Sequence, residues 1–183
     1  MSIVIAVATT DKIIMKSDGR EIDSQTKQIV DENSTKMKQI CDNAIIGYTG
    51  DKQACDAFVE TVISNIKQPI CDPTFLINII NPLLQIYKLL NIKIAVVLGI
   101  IYNHQCQMFY WTSREQYKMS SIIPMRGGAQ FIISGSENNN LDFKEFYKGD
   151  DYLEDSMDEY IIKISKIDSS VNSNIETKIL SVN

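Results

Sequence analysis

Residues 2–20 read SIVIAVATTDKIIMKSDGR, with a short polar segment between two apolar runs. The first run, at residues 3–9, is continuous and rich in β-branched side chains, which is typical of a strand buried on both faces. Thr10-Asp11 supplies a turn, and residues 12–17 follow as a second strand. The sequence therefore predicts a β-hairpin in the core of a sheet.

The register of this hairpin determines which residues lie near Ser2. With a two-residue loop, counting outward from the turn places Ser2 opposite Gly19. Asp18 and Arg20 are then its diagonal neighbours, within reach of long side chains. We therefore expect polar groups to collect around Ser2 at the open end of the hairpin.

A second hairpin is predicted from KMKQIC and AIIGYT, which are joined by Asp42-Asn43. Asx residues tolerate the left-handed conformations that tight hairpins need. Counting outward from this turn places Lys36 opposite Thr49 and next to Gly50. This hairpin also carries polar groups at its open end.

The remaining chain contains a block of helices, a block of strands, a last helix and a last strand. Apolar periodicity predicts helices at 52–66, 75–90 and 155–167, and strands at 92–102, 107–112, 120–125, 129–136 and 176–182. Asp51 and Asp72 are predicted N-caps, Pro82 should kink or divide the second helix, and residues 19–35 are predicted to be a loop. Clustered strands and helices predict one α+β domain over residues 1–183, a four-layer αββα sandwich of two antiparallel sheets between helix layers.

Composition and charge exclude several classes of protein. The 183-residue chain has a formal net charge of −5 and scattered Lys and Arg, so nothing draws it to nucleic acid or anionic lipid. No apolar run reaches the roughly 20 residues that span a bilayer, and residues 1–10 lack the basic flank of a signal peptide. The four cysteines form no CxxC pair, which favours reduced thiols in a cytoplasmic protein without a metal site.

Ser2 has a chemical property that other serines lack. Ser is small enough for efficient removal of Met1, which would give Ser2 both a hydroxyl and a free α-amine. An α-amine has an unperturbed pKa of roughly 7.7–8.0, which suits a general base near neutral pH. One residue could therefore supply nucleophile and base. The single histidine, His104, lies in a loop-like segment, which argues against a Ser-His-Asp triad.

The opening segment resembles the start of proteasome β-subunits and of the bacterial HslV peptidase, which are N-terminal nucleophile hydrolases. Asp18-Gly19-Arg20 matches an element of that family at the right distance from Ser2. The segment STKMKQICDNAIIGYTGD at 34–51 resembles its lysine-bearing strand, turn and glycine segment. The resemblance is specific over the first fifty residues and continues more weakly, in element order, over most of the chain.

The resemblance implies roles for individual residues. Ser2 would be the nucleophile, Lys36 the catalytic lysine, and Asp18 its partner. The Gly50 N–H would stabilise the oxyanion. Ser134 and Asp168 would be supporting residues near the nucleophile.

We also expect Arg20, Tyr48 and Thr49 to bind substrate, with Tyr48 at the floor of the S1 pocket. No metal or organic cofactor is implied. The chain departs from the family at Asp51, where a second glycine is usual, and at Ile133, where the Gly-Ser-Gly element begins with glycine.

The resemblance implies hydrolysis of peptide bonds in unfolded polypeptides or peptides by a homo-oligomeric ring or double ring. HslV-type members additionally depend on a ring ATPase that unfolds and feeds substrates. Two alternatives remain open: an inactive ring subunit that scaffolds or regulates, and an N-terminal nucleophile amidohydrolase that acts on a small amide.

Overall fold

The computed structural model describes residues 2–23, 26–125, 128–135 and 141–182. Met1, whose removal the interpretation of Ser2 requires, lies outside the described residues. Within those ranges, no helix combines the length and apolar character needed to cross a membrane.

Eleven strands and three α-helices form the described structure. The strands are β1 (Ile3–Ala8), β2 (Lys12–Asp18), β3 (Glu21–Ile22), β4 (Ile29–Asp31), β5 (Met37–Cys41), β6 (Ala44–Gly50), β7 (Ile94–Tyr102), β8 (Gln105–Thr112), β9 (Ser120–Ile122), β10 (Gln130–Gly135) and β11 (Ile175–Ser181). The helices are α1 (Lys52–Asn65), α2 (Pro73–Leu89) and α3 (Leu153–Ser165). One antiparallel sheet has the order β10-β1-β2-β11, a second has the order β5-β6-β7-β8-β9, and β3 and β4 pair only with each other.

The two larger sheets face each other between helix layers, which confirms the predicted α+β sandwich. Apolar side chains of α1 and α2, such as Phe58 and Leu76, pack against one face of the five-stranded sheet. The opposite face of that sheet packs against the four-stranded sheet. Met15 of β2 and Val97 of β7 belong to the apolar cluster between the two sheets. The α3 residues, including Met157, cover the outer face of the four-stranded sheet. Burial on both faces explains why β1 and β7 read as continuous apolar runs.

The first hairpin has the predicted register. Val4 pairs with Ser17, and Thr9 N–H donates to Lys12 O at 2.9 Å, so the loop has two residues. The same register extended outward places Ser2 across from Gly19.

The second hairpin differs from the prediction by one residue. Cys41 pairs with Ala44 as expected, but the register shifts between Gln39 and Cys41. Lys36 therefore lies opposite Tyr48, whose N–H donates to Lys36 O at 3.0 Å, and the predicted pairing with Thr49 is wrong. A β-bulge adds one residue to one strand, and the hydrophobic pattern of β5 does not indicate it.

The predicted loop at 19–35 contains the short hairpin of β3 and β4. The side chain of Asp23 caps its turn by accepting the N–H of Thr26 at 2.6 Å, and Lys27 adopts a left-handed backbone with φ of 60°. Backbone pairing alone forms these strands, because β4 is exposed along its length. No apolar alternation exists in such a segment to predict them.

Pro82 does not divide α2, because the helix continues from Pro73 to Leu89, and the alternative of a kink stays a prediction. Pro82 removes one backbone donor from the helix. Buried side chains on both sides of it, Ile80 and Leu84 among them, hold α2 to the sheet and offset that loss. Asp72 and Asp51 cap α2 and α1 as predicted, each accepting a backbone N–H three residues on at 2.9 Å.

Candidate active site

Ser2 lies immediately before β1, half-buried and fixed from two sides. Ile3 N–H donates to Asp18 Oδ1 at 2.8 Å, which ties the start of β1 to the end of β2. On the other side β10 passes against the Ser2 carbonyl. A Cβ added to Gly135 would stand 1.7 Å from Ser2 O, and Gly135 has φ of +115°, so only glycine fits there.

Asp18 is fully buried, and its carboxylate is held by several partners. Oδ1 accepts Ile3 N–H and lies 2.9 Å from Lys36 Nζ, while Oδ2 accepts Arg20 N–H at 2.9 Å. Two backbone donors and one ammonium satisfy a charge that would otherwise be costly to bury.

Lys36 enters the site from the start of the second hairpin and is only 4% exposed. Its Nζ lies 2.8 Å from Asp18 O and 2.7 Å from Arg20 O, in addition to the Asp18 carboxylate. Three oxygen atoms thus match the three donors of an ammonium group. Burial lowers the pKa of Lys36 from its ordinary value, and the nearby Asp18 carboxylate opposes this shift.

Arg20 was expected to bind substrate, but its guanidinium faces Glu32 and the segment after α3. Nε and one terminal nitrogen contact the two Glu32 oxygens at 3.1 and 3.0 Å, and the other nitrogen donates to Ser169 O at 2.7 Å. Bidentate pairing of this kind fixes geometry as well as charge. The Arg20 carbonyl, not its side chain, contacts Lys36.

Glu32 and Asn172 complete this network, and neither was predicted from the sequence. Asn172 Nδ2 donates to Glu32 Oε2 at 2.6 Å, and Asn172 Oδ1 accepts Gly19 N–H at 2.9 Å. The hydrogen bonds from Arg20 and Asn172 hold the pKa of Glu32 below its ordinary value. Because 140 residues separate Glu32 from Asn172, no local pattern could reveal the contact.

A cavity of about 460 Å³ opens beside Ser2. Its wall comes from the β3–β4 hairpin, the end of β6 and the first turn of α1. The lining residues are Ser2, Glu21, Ile22, Asp23, Val30, Ser34, Lys36, Tyr48, Thr49, Gly50, Asp51, Lys52, Gln53 and Cys55.

The cavity brings together five of the nine predicted site residues, namely Ser2, Lys36, Tyr48, Thr49 and Gly50. The other four, Asp18, Arg20, Ser134 and Asp168, are not among its lining residues. Asp18 lies behind the lining, where it contacts Lys36. Ser134 also lies behind it and contacts Thr49.

Gly50 is the last residue of β6 and has φ of +125°. The N–H of Tyr48 points toward β5, so strand alternation directs the N–H of Gly50 to the same side. Because β5 begins only at Met37, the Gly50 N–H lies beyond the end of that strand, at the cavity. A Cβ on Gly50 would approach Lys93 O to 2.4 Å.

Tyr48 and Thr49 line the cavity between Lys36 and Gly50. The Tyr48 hydroxyl donates to Thr35 O at 3.2 Å, and burial raises the pKa of Tyr48, so the phenol stays neutral. Thr49 Oγ1 and Ser134 Oγ are 2.8 Å apart, which joins β6 in one sheet to β10 in the other.

Asp168 follows α3 and shapes the turn after it. One carboxylate oxygen accepts the backbone N–H of Ser170 at 2.9 Å and also its hydroxyl, and the Asp168 carbonyl accepts Val171 N–H at 3.0 Å. This turn leads to Ser169 and Asn172, which contact the Arg20 network.

Cys55 contributes a thiol to the lining of the cavity. Burial raises its pKa above the ordinary value, which keeps the thiol protonated and a poor nucleophile. Among the residues that the structure describes, no three His, Cys, Asp or Glu side chains come together as a metal site would require.

The structure is similar to the crystal structure of eukaryotic HslV from Trypanosoma brucei, with a TM-score of 0.67. The similarity covers 98% of this chain and 99% of that chain, at 13% sequence identity. At this identity the likeness shows a shared fold. Neither a family profile nor a curated protein matches the sequence.

Proposed function

We propose that this protein hydrolyses peptide bonds with Ser2 as an N-terminal nucleophile, once Met1 has been removed. The observation that carries the proposal is the cavity that Ser2 shares with the buried Lys36 and with Gly50 at the end of β6. The fold shared with HslV over nearly the whole chain supports the same function.

In the proposed reaction Ser2 Oγ attacks the substrate carbonyl carbon while the α-amine of Ser2 accepts the hydroxyl proton. The Lys36 ammonium favours the developing alkoxide, because a nearby positive charge stabilises the ionised form. Asp18 and the carbonyls of Asp18 and Arg20 position that ammonium.

The tetrahedral oxyanion would accept a hydrogen bond from Gly50 N–H, an interaction worth about 2.7–4 kcal/mol in known oxyanion holes. Collapse of this intermediate breaks the C–N bond, and the protonated α-amine returns its proton to the leaving amine. Water then attacks the Ser2 ester, with the α-amine again as base, and releases the acid product.

We further propose that copies of this chain assemble into a ring or double ring that encloses the Ser2 sites and admits unfolded polypeptides. A ring ATPase that unfolds substrates is the proposed partner. The support is the fold likeness to HslV, which spans 99% of that chain.

The test is intact-mass spectrometry before and after incubation with a peptide epoxyketone, a reagent that requires a hydroxyl and a free α-amine on one residue. We expect Met1 to be missing and one adduct per chain, and no adduct on the Ser2→Ala variant. Retained Met1, or hydrolysis that persists in Ser2→Ala, would contradict the proposal.

A second candidate, a catalytically inactive ring subunit, is favoured by Asp51. Asp51 lines the cavity at the position where the family that the sequence resembles usually has a second glycine, and it caps α1 through Ala54 N–H at 2.9 Å. This candidate predicts an assembled protein that neither forms the adduct nor cleaves peptides. A monomer that hydrolyses small amides would instead indicate an amidohydrolase.

A further inference from the structure

The side chains that line the cavity beside Ser2 carry more negative than positive charge. Glu21, Asp23 and Asp51 contribute carboxylates, whereas the cations are Lys36 and Lys52. An excess of one sign in a concave, partly desolvated site selects ligands of the opposite sign.

Each lysine is paired with a carboxylate from outside the lining. Lys36 Nζ lies 2.9 Å from Asp18 Oδ1, and Lys52 Nζ lies 2.5 Å from Asp56 Oδ2. With these two partners counted, the charges at and directly behind the cavity wall remain net negative, even when the α-amine of Ser2 is protonated.

Glu21 and Asp51 are the carboxylates available to a ligand. Within the described ranges neither takes part in a salt bridge. Asp51 accepts the N–H of Ala54 at 2.9 Å, and the positive end of the α1 dipole compensates its charge only in part. Burial lowers the pKa of Lys36, and the charge of Glu21 opposes that shift. Burial raises the pKa of the Cys55 thiol, and the charge of Asp51 adds to that shift.

The β3–β4 hairpin also supplies apolar surface beside these carboxylates. Ile22 and Val30 line the cavity, and Val30 is 63% exposed. An arginine or lysine side chain has an aliphatic stem that covers apolar surface and a cationic end that seeks a carboxylate. A cavity of about 460 Å³ has room for such a side chain.

We propose that this cavity selects peptides with arginine or lysine at the residue whose carbonyl Ser2 attacks, through Glu21 and Asp51. The inference rests on the proposed function, because the Gly50 N–H and the cavity wall would hold the carbonyl and side chain of the same residue. In this proposal the β3–β4 hairpin takes part in substrate selection through Glu21, Ile22 and Val30.

The test compares three fluorogenic peptides that differ only in arginine, leucine or aspartate before the scissile bond. We expect kcat/KM to be highest for arginine, and its advantage over leucine to shrink as salt rises, since salt screens partly exposed charges. Glu21→Gln and Asp51→Asn should each lower the arginine-to-leucine ratio about tenfold. Asn remains a good N-cap, so Asp51→Asn keeps α1 intact.

The matched control is Glu60→Gln on the exposed side of α1, outside the cavity lining, which should leave the ratio unchanged. Binding of the same three peptides to Ser2→Ala, measured by fluorescence anisotropy, tests selectivity without chemistry.

Hydrolysis with a preference for leucine or aspartate would overturn this inference and leave the proposed function standing. Selective arginine binding that depends on Glu21, without hydrolysis by the wild type, would overturn the proposed function and uphold the selectivity. If the protein shows neither selective binding nor hydrolysis, both the selectivity and the proposed function are overturned.

Discussion

At the scale of single residues, Lys36 and Asp18 form a buried ion pair at the site, with 2.9 Å between Nζ and Oδ1. Both side chains are nearly inaccessible, at 5% and 0% exposure. A buried charge that loses its partner becomes strongly unfavourable, which makes each residue depend on the other. The lysine therefore has a structural role besides its proposed chemical one, and the two need separate measurements.

Replacing Lys36 with methionine should remove activity and lower stability together. We expect kcat to fall about 10²- to 10⁴-fold, because the charge that favours the alkoxide is lost. The free energy of unfolding should fall by about 3–5 kcal/mol, because Asp18 stays buried without its cation. Steady-state kinetics and urea unfolding measure the two effects.

The matched control is Lys38→Met, two residues further along the chain, within β5 and half-buried. It should change both quantities little. Full activity in Lys36→Met would exclude Lys36 from the mechanism, whatever the change in stability.

Lys36 also predicts the alkaline side of the pH profile. Because burial lowers the pKa of Lys36, its ammonium is lost at a lower pH than that of a surface lysine, whose pKa is 10.5. We expect kcat to fall as pH rises toward 10.5, with Lys36 deprotonation as the cause. On the acid side, kcat/KM should fall as the α-amine is protonated, near its ordinary pKa of roughly 7.7–8.0.

Rates measured from pH 5 to 11 for wild type and Lys36→Arg check this assignment. Arginine stays charged throughout, so the alkaline fall should disappear in that variant if it retains measurable activity. An unchanged alkaline fall in an active Lys36→Arg variant would assign it to another group.

At the scale of secondary-structure elements, β10 determines where Ser2 stands. Gly135 lies so close to the Ser2 carbonyl that the two strands must separate to admit any side chain. Gly135→Ala should lower the free energy of unfolding by at least about 2 kcal/mol, through the positive φ and the overlap, and should displace Ser2. Epoxyketone adduct formation reports the displacement.

Gly128→Ala is the matched control, because a Cβ there meets no atom within 4 Å. It should leave stability and adduct formation close to those of the wild type. A Gly135→Ala protein that forms the adduct at the wild-type rate would show that β10 does not position Ser2.

The hydrogen bond between Thr49 and Ser134 connects β6 to β10 across the two sheets. Both side chains are nearly buried, so Thr49→Val leaves the Ser134 hydroxyl without this partner. We expect a loss of about 1–3 kcal/mol in the free energy of unfolding. A double-mutant cycle with Ser134→Ala, measured by urea unfolding, should give coupling between the two sites, whereas additive effects would argue against the hydrogen bond.

The hairpins show how far the sequence predicts this site. Asp18 comes near Ser2 because the turn at Thr10-Asp11 fixes the register, and a short turn is visible in the sequence. Lys36 lies one residue away from its predicted pairing, because the bulge near Cys41 has no counterpart in the apolar pattern. The hairpin of β3 and β4 was missed for the same reason, although it forms part of the cavity wall.

At the scale of the whole molecule, the sequence predicts the layers better than the contacts between distant segments. Continuous apolar runs such as β1 imply burial on both faces, and this requirement leads to two sheets between helices. The contacts of Arg20 with Glu32 and of Glu32 with Asn172 depend on how the folded layers bring separate loops together. Local periodicity carries no information about such long-range contacts.

The proposed ring assembly can be tested by the mass of the protein in solution and by the substrates that reach its cavities. A single 20.7 kDa chain leaves its cavity open to solvent, whereas an enclosing ring would restrict access to unfolded chains. We expect analytical ultracentrifugation to give a mass several times that of one chain. The assembled protein should cleave unfolded casein in the presence of the proposed ring ATPase. It should spare a stably folded protein that carries the same cleavage sites when that ATPase is absent. Ser2-dependent cleavage of casein by a monomeric protein would show that enclosure is not needed, because the cavity alone would then select and cut the substrate.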